Sequence, residues 1–241
     1  MANAGAGLSR MVLPALAAVL AMAVSSEASG RAVTFPSLDG TALTGEYFEA
    51  SARPAPAVVL VHMLTRSKGE WGSLPDRLQE AGITALTVDL RGHGGSAGSA
   101  QALPEMVQDV RAAVQWLAGR QGVRPGAVGL VGASLGASLS LLATVELPAV
   151  RVLALLSPSL DYRGLRTDVN LVRRLGSRSL WLAASAEDPL ALRTLRDFAA
   201  DSSGPREQSI STTAAHGTAL LERDPEVGRA LVDWLRRSLL S

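Results

Sequence analysis

Residues Ala127-Val128-Gly129-Leu130-Val131-Gly132-Ala133-Ser134-Leu135-Gly136 decide how this chain is read. The first five are a β-type apolar run, the last five spell G-x-S-x-G, and an apolar helical pattern, Leu139–Leu142, follows. A serine set between a strand and a helix sits on a sharp turn whose strained backbone only small neighbours permit. That turn lifts the hydroxyl out at the carboxyl edge of a sheet, which makes Ser134 a candidate nucleophile. With 23 glycines in the chain the pentapeptide alone means little, and the flanking strand and helix give it weight. The plainer alternative is a glycine-rich helix start whose serine caps the first turn.

On either side the alternation continues. Ala57–His62, Ile83–Asp89, Val150–Leu156, Ser179–Ala184 and Gln208–Thr212 are further strand-like runs. The helix candidates are Ser73–Glu80, Pro104–Ala118, Ser134–Thr144, Pro189–Ala200 and Pro225–Leu240. A run apolar at every position, such as Ala57-Val58-Val59-Leu60-Val61, suits a strand buried on both faces. Upstream, Val33–Phe35 and Thr41–Phe48 meet at Asp39-Gly40, a hairpin signal. The pattern predicts an α/β domain over residues 29–241: a mainly parallel sheet with an N-terminal antiparallel hairpin and helices on both faces. Between Val150–Leu156 and Ser179 there is room for one turn and one short helix, Thr167–Leu175, and no lid domain.

Functional residues in such folds stand at the carboxyl ends of strands. A serine hydroxyl needs a base within hydrogen-bond reach, and the base needs an orienting carboxylate. Three histidines compete. His62 ends a strand and would support the next loop, and His93 lies in a tight glycine-rich loop. His216, in Ala215-His216-Gly217, has a short loop past the last strand and small neighbours that let a ring swing across, so it is the expected base. For the acid, Asp188 in Ala186-Glu187-Asp188-Pro189 is preferred to Asp161, although it could equally cap the helix that Pro189 begins.

Composition removes other classes. The 23 basic and 22 acidic residues leave a formal charge of +1, so no overall field draws in nucleic acid. There is no cysteine, hence no thiol nucleophile or thiolate metal site, and the lone lysine, Lys68, is followed by Gly69 and Glu70, so no G-K-[ST] phosphate loop exists. The histidines are too far apart to form a helical zinc pair. No metal and no organic cofactor are expected. Gly92-His93-Gly94-Gly95-Ser96-Ala97 imitates a dinucleotide fingerprint, but the next helix starts too late to hold a pyrophosphate. Arg66, Lys68 and Trp71 lie near the expected oxyanion site, where a solvated loop with Trp71 docked on the next helix is favoured over an anion-binding role.

At the N-terminus, Arg10, the apolar run Met11–Val24 and Ser26-Glu27-Ala28 have the order of a secretory signal over residues 1–28. Fourteen helical residues rise about 21 Å, short of the ~30 Å hydrocarbon core, so a stable membrane span is not expected. The expectation is export to the periplasm or medium.

From about Val33 onward the sequence resembles the α/β-hydrolase family. Ser134, Asp188 and His216 follow its nucleophile-acid-histidine order, His62-Met63 is similar to its His-Gly oxyanion loop, and Asp89-Leu90-Arg91-Gly92-His93-Gly94-Gly95-Ser96 is similar to its D-x-R-G-H-G-x-S stretch. Small dienelactone-hydrolase-like and esterase-like members look most similar. Two departures stand out: Met63 replaces glycine, and Ser134 stands where dienelactone hydrolases carry cysteine. The resemblance implies backbone N–H donors at Met63 and Leu135. It implies a small-molecule ester as substrate, with an amide less favoured; no protein partner is indicated. Tyr162 is a candidate pocket residue. The rival reading is a non-catalytic binding protein of the same fold, against which the retained Ser-Asp-His set argues, since binding alone needs none of the three.

Overall fold

The computed structural model describes residues 1–2 and 30–240. The export segment expected at residues 1–28 therefore lies, beyond its first two residues, outside the described residues. An eight-stranded sheet runs through the domain in the order β1-β2-β4-β3-β5-β6-β9-β10. Its strands are β1 (Arg31–Pro36), β2 (Ala42–Phe48), β3 (Ala55–Val61), β4 (Thr84–Val88), β5 (Val123–Ala133), β6 (Val150–Leu156), β9 (Ser179–Ser185) and β10 (Arg206–Ser211). The first two form the expected antiparallel hairpin, β2 meets β4 antiparallel, and every other pairing is parallel.

The helices are α1 (Leu74–Glu80), α2 (Met106–Ala118), α3 (Leu135–Thr144), α4 (Val169–Arg173), α5 (Pro189–Asp201), α6 (Ala219–Arg223) and α7 (Pro225–Leu240). Because side chains alternate across a strand, Ala57, Val59 and Val61 join the core under α2, α3 and α5, while Val58 and Leu60 join the core under α1 and α7. All seven residues of β3 are buried, which is why that segment is apolar throughout. On α7, Leu231, Trp234 and Leu235 stack at helical spacing over the second core. Among the described residues no helix is long and apolar enough to cross a membrane.

From β3 the chain moves to β4 on one side, then returns past β3 to β5 on the other. That change of direction opens a crevice at the carboxyl ends of β3 and β5.

Between β6 and β9 stand a small hairpin, β7 (Asp161–Tyr162) and β8 (Leu165–Arg166), and the single-turn-plus α4. The helix expected over Thr167–Leu175 is shorter: it starts only at Val169, where the Asp168 carboxylate accepts from the Asn170 and Leu171 N–H groups and caps the first turn, and it ends at Arg173. No lid domain is present among these residues. Lys68–Trp71 form one 3-10 turn, and Trp71 is buried against Leu74 and Leu78 in the second core.

The Asp89–Ser96 stretch is a bracket. Asp89 accepts from the Lys68 backbone N–H (2.7 Å), the Lys68 ammonium (2.8 Å), Thr44 (2.9 Å) and the Gly95 N–H (3.0 Å). Burial alone would raise its pKa, but these donors outweigh it and hold the carboxyl below its ordinary range. Its glycines thus wrap a carboxylate of the chain itself rather than a pyrophosphate. Arg91 is buried on Asp109 of α2 and reaches Asp39 in the first hairpin at 2.7 Å. Removing one partner of such a buried pair costs about 3–5 kcal/mol, so this loop is firmly held.

Candidate active site

The end of β5 delivers Ser134 with φ 52° and ψ −114°, a left-handed backbone for a non-glycine residue. This strain is tolerated because the turn is packed on all sides. A Cβ on Gly132 would lie 2.2 Å from the Gly136 carbonyl oxygen, and one on Gly136 would lie 2.1 Å from that of Val61. The two glycines therefore let α3 begin directly against the end of β3.

Ser134 donates its hydroxyl hydrogen to His216 Nε2 (2.8 Å), and His216 Nδ1–H donates to Asp188 Oδ2 (2.5 Å). The carboxylate fixes the tautomer, leaving Nε2 free to take the serine proton. The three expected residues are thus brought together from the ends of β5, β9 and β10. Asp188 also does what the competing reading proposed: Oδ1 caps α5 by accepting from the Ala191 N–H at 3.1 Å. Asp161 is not part of this chain of bonds; it accepts from the Gly164 N–H at 2.7 Å and closes the β7–β8 turn. Tyr162 is half-buried on the same hairpin and packs on the core beneath α3.

The His216 loop is anchored by a residue the sequence reading passed over. Ser157, just past β6, is buried with φ 48° and accepts from the Gly217 N–H at 2.8 Å. Gly217 itself has φ 58°, and a Cβ there would press on the Met63 side chain, with Sδ at 2.1 Å, so glycine after the histidine is favoured. The Ser134 residue is only 7% exposed, whereas the His216 side chain is 53% exposed, so the serine is recessed beneath an open rim.

His62 and His93 are structural. His62 donates from Nδ1 to the Met63 carbonyl (2.6 Å) and accepts the Leu90 N–H at Nε2 (3.0 Å). His93 donates from Nδ1 to the Arg91 carbonyl (3.0 Å) and accepts the Thr65 N–H at Nε2 (3.2 Å).

The turn after β3 corrects one expectation. Met63, expected to offer its N–H to an oxyanion, donates it instead to Glu70 Oε1 at 2.7 Å. The Thr65 N–H goes to His93 and the Arg66 N–H to the Met63 carbonyl at 3.3 Å. Among the described residues no acceptor takes the Leu64 N–H or the Leu135 N–H. Leu135 is the first residue of α3, where N–H groups have no partner within the helix. Backbone donors at Leu64 and Leu135, past the ends of β3 and β5, are therefore unengaged. Among the described residues, no cluster of three or more His, Asp or Glu is arranged to hold a metal.

Known proteins resemble this chain in sequence and in fold. An uncharacterised protein of Mycobacterium tuberculosis strain H37Rv is 29% identical over 232 residues, covering 88% of this chain and 79% of that one. Among solved structures, the Pyrococcus furiosus esterase Pf2001 superposes with a TM-score of 0.74 at 18% identity, over 87% of this chain and 93% of that one. The dienelactone hydrolase of Anabaena variabilis does so with a TM-score of 0.70 at 17% identity, over 88% and 98%. These share the fold. The family model described as serine aminopeptidase, S33, matches residues 52–238, a span that contains Ser134, Asp188 and His216, and the chain belongs to that α/β-hydrolase family.

Proposed function

We propose that the protein is a serine hydrolase that cleaves carboxylic esters of small soluble substrates through an acyl-Ser134 intermediate. The observation that carries this reading is the continuous relay from Ser134 Oγ through His216 to Asp188, at 2.8 and 2.5 Å.

In the proposed reaction, Ser134 Oγ attacks the ester carbonyl carbon as its proton passes to His216 Nε2. Asp188 Oδ2 stabilises the resulting imidazolium. The carbonyl oxygen gains the negative charge, and the Leu135 and Leu64 N–H groups donate to it. The C–O bond to the alcohol then breaks, and the alkoxide takes the proton from His216 Nε2. Water, deprotonated by the same nitrogen, attacks the acyl carbon, and Ser134 leaves with its proton restored. Two preorganised donors of this kind are each worth about 10²–10³ in rate. Esters are favoured over amides because an alkoxide leaves with modest proton assistance, whereas an amide nitrogen must be protonated as it departs, and here the proton carrier is half exposed to water.

The test is labelling by a fluorophosphonate probe together with hydrolysis of an ester panel. Parent protein is expected to be labelled and active, and S134A to be folded, unlabelled and slower by a factor on the order of 10⁴ or more. An S134A protein retaining a tenth of the parent's turnover would remove the nucleophile assignment. A folded parent that neither labels nor turns over any ester or amide would favour the binding-protein reading.

A further inference from the structure

Glu70 has no place in the reaction as described, yet its carboxylate is the acceptor for the backbone N–H next to the Leu64 donor. It stands on the 3-10 turn Lys68–Trp71, which is itself tied down by the Lys68 bonds to Asp89 and by the burial of Trp71. Oε1 accepts from Met63 at 2.7 Å, while Oε2 is buried without a hydrogen-bond partner among the described residues. A cavity of about 360 Å³ lies on this side of the turn, lined by Met63, Arg66, Glu70, Trp71, Arg77 and Thr218 among others. The back of the turn is therefore not supported by close packing. A partly buried carboxylate is costly to hold beside a cavity, and burial pushes its pKa up, although the Met63 N–H and the Thr218 hydroxyl pull the other way.

Resting on the hydrolase reading above, we infer that Glu70 is a positioning residue: by holding the Met63 N–H away from the crevice, it turns the next peptide so that the Leu64 N–H faces the developing oxyanion. The bonds around it fit this role. The Met63 carbonyl is held by His62 Nδ1, and the Thr65 N–H, on a residue with φ 61°, is held by His93. The Met63 carbonyl and the Leu64 N–H are the two ends of one peptide, so His62 holds that peptide through its carbonyl, while Glu70 and His93 hold the peptides on either side through the Met63 and Thr65 N–H groups. Of these clamps, Glu70 is the one that reaches the turn from the cavity side. After the histidine stands Met63, whose bulk against Gly217 restricts the turn, and Glu70 fixes which of its remaining orientations is adopted.

The two readings of the Met63 N–H make opposite forecasts. If Glu70 positions the turn, E70A should lower kcat about ten- to a hundredfold with KM changed less than about threefold, because a misdirected oxyanion donor is felt mainly in the transition state. Affinity for a boronic acid, which forms a tetrahedral anion on the serine, should fall by a similar factor. E70Q keeps an acceptor for Met63 and should restore kcat to within about threefold of the parent. Were Met63 itself the oxyanion donor and Glu70 its competitor, E70A would be as fast as the parent or faster, and the inference would fail. It would fail equally if folded E70Q were as slow as E70A, or if E70A raised KM and lowered the melting temperature without a specific loss in kcat and boronate affinity. Should E70A not fold, E70D, one methylene short of Met63, takes its place with the same expected loss. S134A run alongside separates the two levels: an active S134A undermines the hydrolase reading, whereas an inactive S134A beside a fully active E70A undermines only the role of Glu70.

Discussion

The His62 ring is wholly buried between the Met63 carbonyl and the Leu90 N–H, with the His93 ring 5.0 Å away. Burial pushes its pKa down from the usual 6.5 to about 4, with His93 and Lys68 adding to the effect and the Met63 carbonyl and Asp89 opposing it. The folded protein keeps this ring neutral where the unfolded chain would protonate it. Its contribution to stability is thus complete above pH 6.5 and is lost as the pH falls toward 4. A displacement of that size corresponds to on the order of 3 kcal/mol. Urea unfolding at pH 7.5 and pH 4.5 is expected to show a stability loss in the parent that is clearly smaller in H62N, whatever that variant's absolute stability. Equal losses in both would show that other groups carry the acid sensitivity. At this scale the meeting of Ser134, Asp188 and His216 was legible because each follows a strand in a fixed order. Glu70 and Ser157 were not: the one acts seven residues from its partner across an irregular loop, and the other acts through a backbone angle that no side-chain pattern announces.

Elements show the same division. β3, β5 and β6 could be read because burial on both faces leaves unbroken apolar runs, whereas the two-residue strands β7 and β8 and the five-residue α6 are too short for any period to register. The junction between β5 and α3 is tight. A methyl group on Gly136 would meet the Val61 and His62 carbonyl oxygens at 2.1 and 2.7 Å, and backbone cannot step aside as a flexible side chain can. G136A is expected to lower stability by about 1–3 kcal/mol and to depress hydrolase activity as α3 shifts away from β3. G69A serves as the control, since a Cβ there meets nothing within 4 Å. It should lie within about 0.5 kcal/mol of the parent in the same unfolding experiment. A neutral G136A would mean that the elbow is looser than this packing implies.

For the molecule as a whole, the short excursion between β6 and β9 matters most. The hairpin β7–β8 and α4 occupy it, and the His216 rim stays exposed. A buried methylene contributes about 0.8 kcal/mol only when it leaves water, and a site without a cover has little apolar surface to offer a long acyl chain. Specificity, expressed as kcat/KM, is accordingly expected to level off at short acyl lengths, with no jump when the substrate forms droplets. A steady rise to chains of twelve carbons or more in a kinetic panel would contradict the open-site reading. The uncovered rim has a further consequence. Among the described residues nothing between β6 and β9 has to swing aside before a small molecule reaches His216, so productive encounter is expected to be limited by diffusion to the rim rather than by a preceding opening step.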